Sequence, residues 1–456
     1  MKPRRILIIG GVAAGTAAAA QARRSSPDAQ ITLIDKGSDI SYSACEMPIY
    51  LAGEVSSADK LVRFTPEKFA ATYNVEVLTH TEVVSIDTER RKVRITSGPG
   101  EKETSIPYDA LILATGARAH VPDGLKSASK DVFVLRDLED ARQIAQTLDT
   151  QTIHHAVIVG SGYVGLDALE SFHRRGIRCT LFASSGHLLK GALDVDMSDL
   201  LVSHLGDLGI SIRNDRVQSL DVAPDGSIRS VHTASGEQTG CSLVLLATGT
   251  RPNTALGEKA GLKLGPAGGF QVDTHLLTSM ASIWACGDVV DFTDGVTGQP
   301  LHAPLALNAF LSGRVAGQNA ARGGTGRPAR MKKVVRAAAV AVGGLEVAHT
   351  GWSLESAISI GLDAVAVTIQ SRSAASLAPN NPLHVRLVAE RTSRKLLGAQ
   401  VIGKEGAVQR ANVVTSHLRS GSTVDDLYDM DFIYAPRLSP LHDALLVAAR
   451  ALQKDL

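Results

Sequence analysis

Four cysteines occur in the chain, and one of them sits where a cysteine can react. Cys179, Cys241 and Cys286 lie in the apolar runs IRCTLF, GCSLVLL and IWACGD, and read as packing residues. Cys45 lies in the polar run SYSACEMPIY, with Ser41 and Ser43 before it and a helix expected to start at Pro48. A helix N-terminus lowers a thiol pKa, and the thiolate is the form that attacks disulfides. Glu46 works the other way, because an adjacent carboxylate disfavours a second negative charge. The plain alternative for any free cysteine is that of a small buried hydrophobe. With no second cysteine nearby, Cys45 cannot form a local internal disulfide. It would alternate between thiolate and mixed disulfide, persulfide or sulfenic acid. The chain has no C-x-x-C and no His/Cys cluster, so neither a disulfide framework nor a metal site is expected.

Two glycine turns point to a second kind of chemistry. In AVIVGSGYVGLDALE, Gly160, Gly162 and Gly165 satisfy G-x-G-x-x-G. The first glycine allows the tight turn, the second admits a pyrophosphate to the backbone, and the third lets helix and strand pack. The helix N-terminus then offers free N–H groups to the phosphates. In ILIIGGVAAGTAAAA the glycines are Gly10, Gly11 and Gly15, with Val12 where the second fingerprint glycine belongs. Both openings are followed later by a strand ending in ATG, at Ala114–Gly116 and Ala247–Gly249. Asp35 ends the next strand, 20 residues past Gly15, where a carboxylate can bind an adenosine ribose. The equivalent position in the second unit, 18 residues past Gly165, is Ala183, in FASSGHLL. No carboxylate there repels a 2′-phosphate, and Arg178, Ser184, Ser185 and His187 are candidates to hold one. This favours NADPH and leaves NADH open.

These residues require a scaffold of repeated βαβ units. A chain of 456 residues suggests about three domains at ~100–200 residues each. Lys+Arg 47 against Asp+Glu 46 gives a net charge of +1, which argues against a surface built for nucleic acid. Glycine, at 42 residues, exceeds the usual share and aromatics are only 4%, a balance that suits backbone-lined nucleotide loops. Lys2, Arg4 and Arg5 before the apolar run Ile6–Ala20 resemble a secretory signal. A strand, a glycine turn and an alanine-rich helix explain that run better, because Asp35 follows at the fingerprint distance. No other apolar run approaches a membrane span, so a cytoplasmic protein is expected. After the second unit come a strand in SIWACGD, a small-residue helix from Pro304 to Arg322 and a linker, RGGTGRPAR. Short β runs (Ala337–Val342, Ala364–Ile369, Leu383–Val388) and two helices complete the chain.

Taken together, GGVAAG, SYSAC before a proline, the two ATG strands, ACGD, GAQVIGKEG and YAP resemble the single-cysteine branch of the pyridine nucleotide-disulfide oxidoreductases. That branch includes CoA-disulfide reductases, NADH oxidases and peroxidases, and persulfide reductases. The resemblance covers essentially the whole chain. It implies an α/β fold with two Rossmann-like, glutathione-reductase-like dinucleotide-binding domains and a C-terminal α+β dimerisation domain. The implied boundaries are 1–115 with 250–326 for FAD, 116–249 for NADPH or NADH, and 327–456 for the homodimer interface. FAD would be held by Gly10, Gly11, Ala13, Ala14, Gly15, Asp35, Lys36, Ser43, Val83, Ala114, Thr115, Gly116, Asp288, Leu305 and Ala306. The pyridine nucleotide would meet Gly160, Gly162, Tyr163, Val164, Gly165, Ser184 and Gly249. Catalysis would rest on Cys45 and on Tyr434, reaching the partner chain's Cys45 site from the YAP motif. His442, in SPLHDAL, is a further candidate acid, or a surface or interface residue.

The departures from that branch bear on the substrate. Oxidase and peroxidase members carry a histidine in the first glycine loop, where this chain has Val12, Ala13 and Ala14. The CoA-contacting positions map onto Ala17, Gln21, Arg24, Ser41 and Ala44, the last replacing an asparagine. Glu46 replaces a small residue. A second tyrosine of that branch is missing, since the matching segment reads SLAPNN (Ser376–Asn381). The resemblance therefore implies an FAD-dependent NAD(P)H oxidoreductase that reduces a small-molecule disulfide or persulfide through Cys45, with no nucleic acid or membrane partner. An oxidase or peroxidase working through a Cys45 sulfenic acid, and a flavin-bound redox sensor with little turnover, stay open.

Overall fold

In the computed structural model, residues 3–98, 101–323, 325–374 and 381–456 are described. Arg5–Ile9 is the middle strand of a five-stranded sheet ordered Ile283–Ala285, Ala110–Leu113, Arg5–Ile9, Gln30–Ile34, Glu76–Leu78. All its pairings are parallel. Its central strands are buried on both faces, which explains their near-continuous runs of isoleucine and leucine. This sheet joins the first stretch of the chain to a strand far downstream of the second glycine turn.

The second parallel sheet is ordered Ser211–Arg213, Arg178–Phe182, His155–Val159, Leu243–Leu246, Val132–Phe133. The third is antiparallel: Ala337–Val342, Leu345–Gly351, Leu396–Gly403, Pro382–Glu390, Ala364–Arg372. The helices Ala407–Ser420 and Ala444–Leu452 pack on it. Three helices, not two, follow the last strand, because Thr423 and Asp426 form a capping box that starts a short helix over Val424–Tyr428. The helix expected from Pro304 begins at Ala306, with Leu305 still extended at its N-cap. Ser376–Asn380, where a tyrosine is missing, lies outside the described residues.

Close packing of two helices holds the first turn in place. A Cβ on Gly313 would stand 2.2 Å from the Ala14 carbonyl oxygen, and one on Gly317 would stand 2.2 Å from that of Ala18. The helices Ala13–Ser25 and Ala306–Arg322 can therefore touch backbone to backbone only because both faces are made of glycine and alanine. No helix among the described residues is long and apolar enough to cross a membrane.

Candidate active site

The parallel strands of the first sheet end together, so the residues just past them share one edge, where open α/β sheets bind ligands. Gly10 has φ +106°, and a Cβ there would lie 2.1 Å from the Ala114 carbonyl oxygen. Only glycine closes this turn. Gly15 meets Gly10 as tightly, at 1.7 Å, which sets the helix start directly on the turn. Val12 at the N-cap gives no side-chain hydrogen bond, so the amides around Ala13 and Ala14 remain for an anion. The Asp35 carboxylate accepts the Gly11 N–H at 2.6 Å and the Gly37 N–H at 2.8 Å. Lys36 is exposed, and Val83 is buried in the strand Glu82–Asp87, two residues past Thr81, whose N–H donates to the Asp35 carbonyl. The Thr115 hydroxyl donates to the Asn253 carbonyl while the Asn253 amide donates to the Thr115 carbonyl, locking the ATG crossing.

Asp288 follows the strand Ile283–Ala285, in the turn Gly287–Val289, and pairs with Arg136 at 2.7 Å. Arg136 also donates to the Ala117 carbonyl beside Gly116, which has φ +63°. His302 contacts the Asp288 carbonyl at 3.0 Å, and Leu305 and Ala306 begin the following helix. The first glycine turn, Asp35, the ATG crossing and Asp288 thus lie at one edge, with uncapped amides, a carboxylate held by two N–H groups and a second acid. That donor set fits FAD.

Cys45 is exposed and stands at the same edge, in a 3-10 turn, Ala44–Glu46, that runs into the five-residue helix Met47–Leu51. The expected lowering of its pKa is not what the structure produces. Crowding by protein on the thiol's inner side pushes it up, and the charges of Asp167, Asp288 and Glu46 add to this, with Arg136 opposing. A five-residue helix supplies too little dipole to outweigh three acids. Glu46 itself pairs with Arg63. The Cys179, Cys241 and Cys286 thiols are all pushed up to about 12 by burial.

Asp167 lies one turn past Tyr163 on the helix Tyr163–Arg174, whose Ser171 hydroxyl donates to the Pro48 carbonyl at 2.8 Å. This contact docks the second unit's glycine helix on the Cys45 segment. Burial, with help from Glu170, pushes the Asp167 carboxyl up to about 6. Ser41 has φ +53°, a left-handed conformation rare outside glycine. Its N–H donates to the Gly11 carbonyl and its carbonyl accepts the Arg63 N–H, sewing the cysteine loop to the first turn. Ser43 donates its N–H to Leu61. Gln21 and Arg24 sit on the helix Ala13–Ser25, where the Arg24 guanidinium donates to Gln21 Oε1. Ala17 is buried and Ala44 half-buried.

The second turn repeats the first. Gly160 has φ +116°, and a Cβ there would sit 2.2 Å from the Ala247 carbonyl oxygen; Gly165 would meet the Gly160 oxygen at 2.1 Å. At Gly162 and Gly249 a Cβ would meet nothing within 4 Å. Both face open space, and a cavity of about 480 Å³ is lined by Gly160, Gly162, Tyr163, Ser184 and Gly249. Val164 is exposed just beyond. Arg178 does not belong to this cavity. It begins the strand Arg178–Phe182, whose far end meets the turn. The His187 carbonyl accepts from the Ser161 and Ser185 hydroxyls, and its ring does not line the cavity either. Lys190 and Arg216 do line it.

Tyr434 is 53% exposed, next to Ile433 at 85% and close in sequence to Leu438 at 81% and Leu441 at 63%. Among the described residues Tyr434 has no hydrogen bond, and His442 is exposed. Sequence reasoning missed Arg63, Arg136, Asp167, Lys190, Arg216 and His349. Asp167 lies within AVIVGSGYVGLDALE but outside its glycine fingerprint, the others lie in no motif, and each matters only through residues brought to it by the fold.

Residues 4–310 match the family model described as pyridine nucleotide-disulphide oxidoreductase, and residues 337–444 match that family's dimerisation domain. The chain is 29% identical to an NADH oxidase of Methanocaldococcus jannaschii, over 99% of each chain. It is 28% identical to a coenzyme A disulfide reductase of Staphylococcus epidermidis, over 97% of this chain and 98% of that one. Among solved structures, the NAD-dependent persulfide reductase of A. fulgidus superposes with a TM-score of 0.94 at 32% identity. That match covers 99% of this chain and 83% of the other.

Proposed function

The chain belongs to the pyridine nucleotide-disulphide oxidoreductases, and from that membership we propose a mechanism centred on Cys45. The enzyme is an FAD-dependent NAD(P)H oxidoreductase acting on a small-molecule disulfide or persulfide. The observation that carries the role of Cys45 is its exposure at the strand-end edge shared by Gly10, Asp35 and Asp288, with Cys179 and Cys286 buried.

FAD, when bound, would supply the electron pair that originates on NAD(P)H. The residues around the Gly10 and Gly160 turns would hold the two nucleotides, and Asp35 would hold a ribose. Cys45 carries the substrate as a mixed disulfide, R–S–S–Cys45. The electron pair breaks this S–S bond, leaving a Cys45 thiolate and a thiolate R–S⁻ that takes a proton and departs as R–SH. The Cys45 thiolate then attacks a second R–S–S–R, re-forming R–S–S–Cys45 and releasing another R–S⁻, which is protonated in turn. The sum is NAD(P)H + H⁺ + RSSR giving NAD(P)⁺ and two RSH. Gln21, Arg24, Ser41 and Glu46 line the approach of the thiol's remainder, and Tyr434 and His442 are candidate proton donors.

The reading includes a homodimer built on residues 327–456, with Tyr434 presented to the partner's site, and FAD and NAD(P)H divided between 1–115 with 250–326 and 116–249. Four unpaired cysteines suit a reducing, cytoplasmic setting.

The test is anaerobic NAD(P)H oxidation against a set of disulfides and persulfides, with free thiol counted. Two thiols per nucleotide with at least one disulfide are expected. Turnover only with oxygen, or no turnover despite flavin reduction, would replace this reading by the oxidase or the sensor.

A further inference from the structure

Three carboxylates act on the Cys45 thiol: Asp167, Asp288 and Glu46. Two are already engaged, Asp288 with Arg136 at 2.7 Å and Glu46 with Arg63 at 2.5 Å. The Asp167 carboxylate is half-buried, yet it makes no ion pair and no hydrogen bond with any described residue. Residues four apart share a helix face, so Asp167 lies on one stripe with Tyr163 and Ser171. Ser171 donates to the carbonyl of Pro48, in the segment that carries Cys45, and Tyr163 meets His349 of the C-terminal sheet. Asp167 stands between these two anchors, on a helix that packs against Met47–Leu51. The surrounding elements bring it no opposite charge at ion-pair distance. Met47–Leu51 and Ala337–Val342 carry no charged residue, and His155 and Arg178 begin strands whose other ends meet the glycine turn. Glu170 accepts from Arg174 and the Gly343 N–H, while Arg336 lies over the Trp352 ring with its charge acting on Tyr163 and His349. An unpaired carboxylate near a thiol avoids two adjacent negative charges when the two groups share one proton.

We propose that Asp167 takes the proton of Cys45, directly or through one water, as the sulfur attacks a disulfide, and hands that proton to the departing thiolate. The proposal rests on Cys45 being the attacking thiol. The step is Cys45–SH + RSSR giving Cys45–S–S–R + RSH. The Cys45 S–H bond breaks, the sulfur's electron pair forms the new S–S bond, and the substrate's S–S bond breaks onto the leaving sulfur. The Asp167 carboxyl then protonates that sulfur and ends as the carboxylate it was, with no outside oxidant or reductant. The charge that raises the thiol at rest is thus the acceptor that lets it ionise during attack.

The test is a single exchange on the oxidised holoenzyme, treated with dithiothreitol, desalted and given no NAD(P)H. Three uncharged probes are used: bis(2-hydroxyethyl) disulfide, whose leaving thiolate is strongly basic, 4,4′-dithiodipyridine, whose leaving group needs no proton, and iodoacetamide. Intact-protein mass spectrometry follows the modified Cys45. In Asp167→Asn the first reaction should be at least about tenfold slower at pH 7.5, and the other two no slower. Asp167→Glu, which keeps the carboxyl, should return most of the lost rate. The wild-type rate with the hydroxyethyl disulfide should rise with pH through about 6, where the carboxylate forms, and Asp167→Asn should lack this inflection. Equal slowing of all three reactions would mean packing, and equal acceleration a charge effect alone; either overturns the proposal. Exchange that needs Cys45 but responds to no Asp167 variant sinks the proton relay and leaves the Cys45 reading standing. Unchanged exchange in Cys45→Ser removes that reading as well.

Discussion

The Tyr163 phenol lies 2.5 Å from Nδ1 of His349, with the two rings stacked 6.0 Å apart, so the second glycine turn is tied directly to the C-terminal sheet. Burial keeps the phenol protonated and holds His349 neutral, so Tyr163 donates and Nδ1 accepts. Tyr163 also lines the cavity beside the second glycine turn, so this bond links that cavity to the C-terminal sheet.

Acid should break this link. Burial, reinforced by the Arg336 charge, pushes His349 down to about 4 from 6.5. The unfolded chain takes up this proton before the native one does. Stability is therefore fully present above pH ~6.5, falls as pH drops towards ~4 and levels off below, a loss of ~2–3 kcal/mol. Thermal midpoints of the holoenzyme from pH 7.5 to 4 should show this slope. In His349→Gln the midpoint at pH 7.5 should be lower and the slope between 6.5 and 4 shallower.

Cys45→Ser should keep its flavin and its reduction by NAD(P)H, and lose disulfide reduction by about 10²-fold or more, because the nucleophile is gone. Stopped-flow flavin reduction beside steady-state turnover separates the two steps. Near wild-type turnover would rule out a thiol route. Glu46→Gly removes a charge that raises the Cys45 pKa. The rate of Cys45 alkylation against pH should accordingly shift to lower pH, with disulfide reduction retained.

Asp167 works in the opposite direction to His349. Its native pKa, about 6 against 3.8, means that the native state holds a proton longer than the unfolded one. Its contribution is greatest below pH ~4, declines as pH rises through ~6 and stays flat above. Asp167→Asn should then raise stability at pH 8 by ~1–2 kcal/mol relative to wild type and have no such gain at pH 4. It should also lower the Cys45 pKa, since Asp167 supplies the largest opposing charge. Denaturation midpoints at the two pH values, with alkylation kinetics, check both effects. An equal change at pH 4 and 8 would mean a packing effect only.

The exposed run around Tyr434 should be covered in solution. Ile433, Leu438 and Leu441 leave more apolar surface to water than scattered single side chains do. Sedimentation should give a dimer of 95.8 kDa, twice the 47.9 kDa chain. Leu438→Asp should shift it towards monomer, with turnover falling in step if Tyr434 serves the partner's site. An active wild-type monomer would remove that role.

What could be read directly from the sequence was local. Gly10, Gly15, Gly160 and Gly165 announce their turns because a tight turn and a close helix leave no room for a Cβ, a constraint contained within a single βαβ unit. The buried strands show as unbroken apolar runs for the same reason, and Cys45 stands out because its neighbours are polar while those of Cys179 and Cys286 are not. The length of the helix after Cys45 and the sign of its thiol shift were not legible there. That sign depends on burial and on the charges of Asp167 and Asp288, and the ion pair Arg136–Asp288 joins residues 152 positions apart. Arg178 looked suitable by proximity in sequence but sits at the wrong end of its strand, while Lys190 and Arg216 carry no motif and meet only across the cavity. Steric demands on a turn act within a few residues, whereas the charge felt by a thiol or a phosphate is set by groups that the chain brings together only when its sheets have packed.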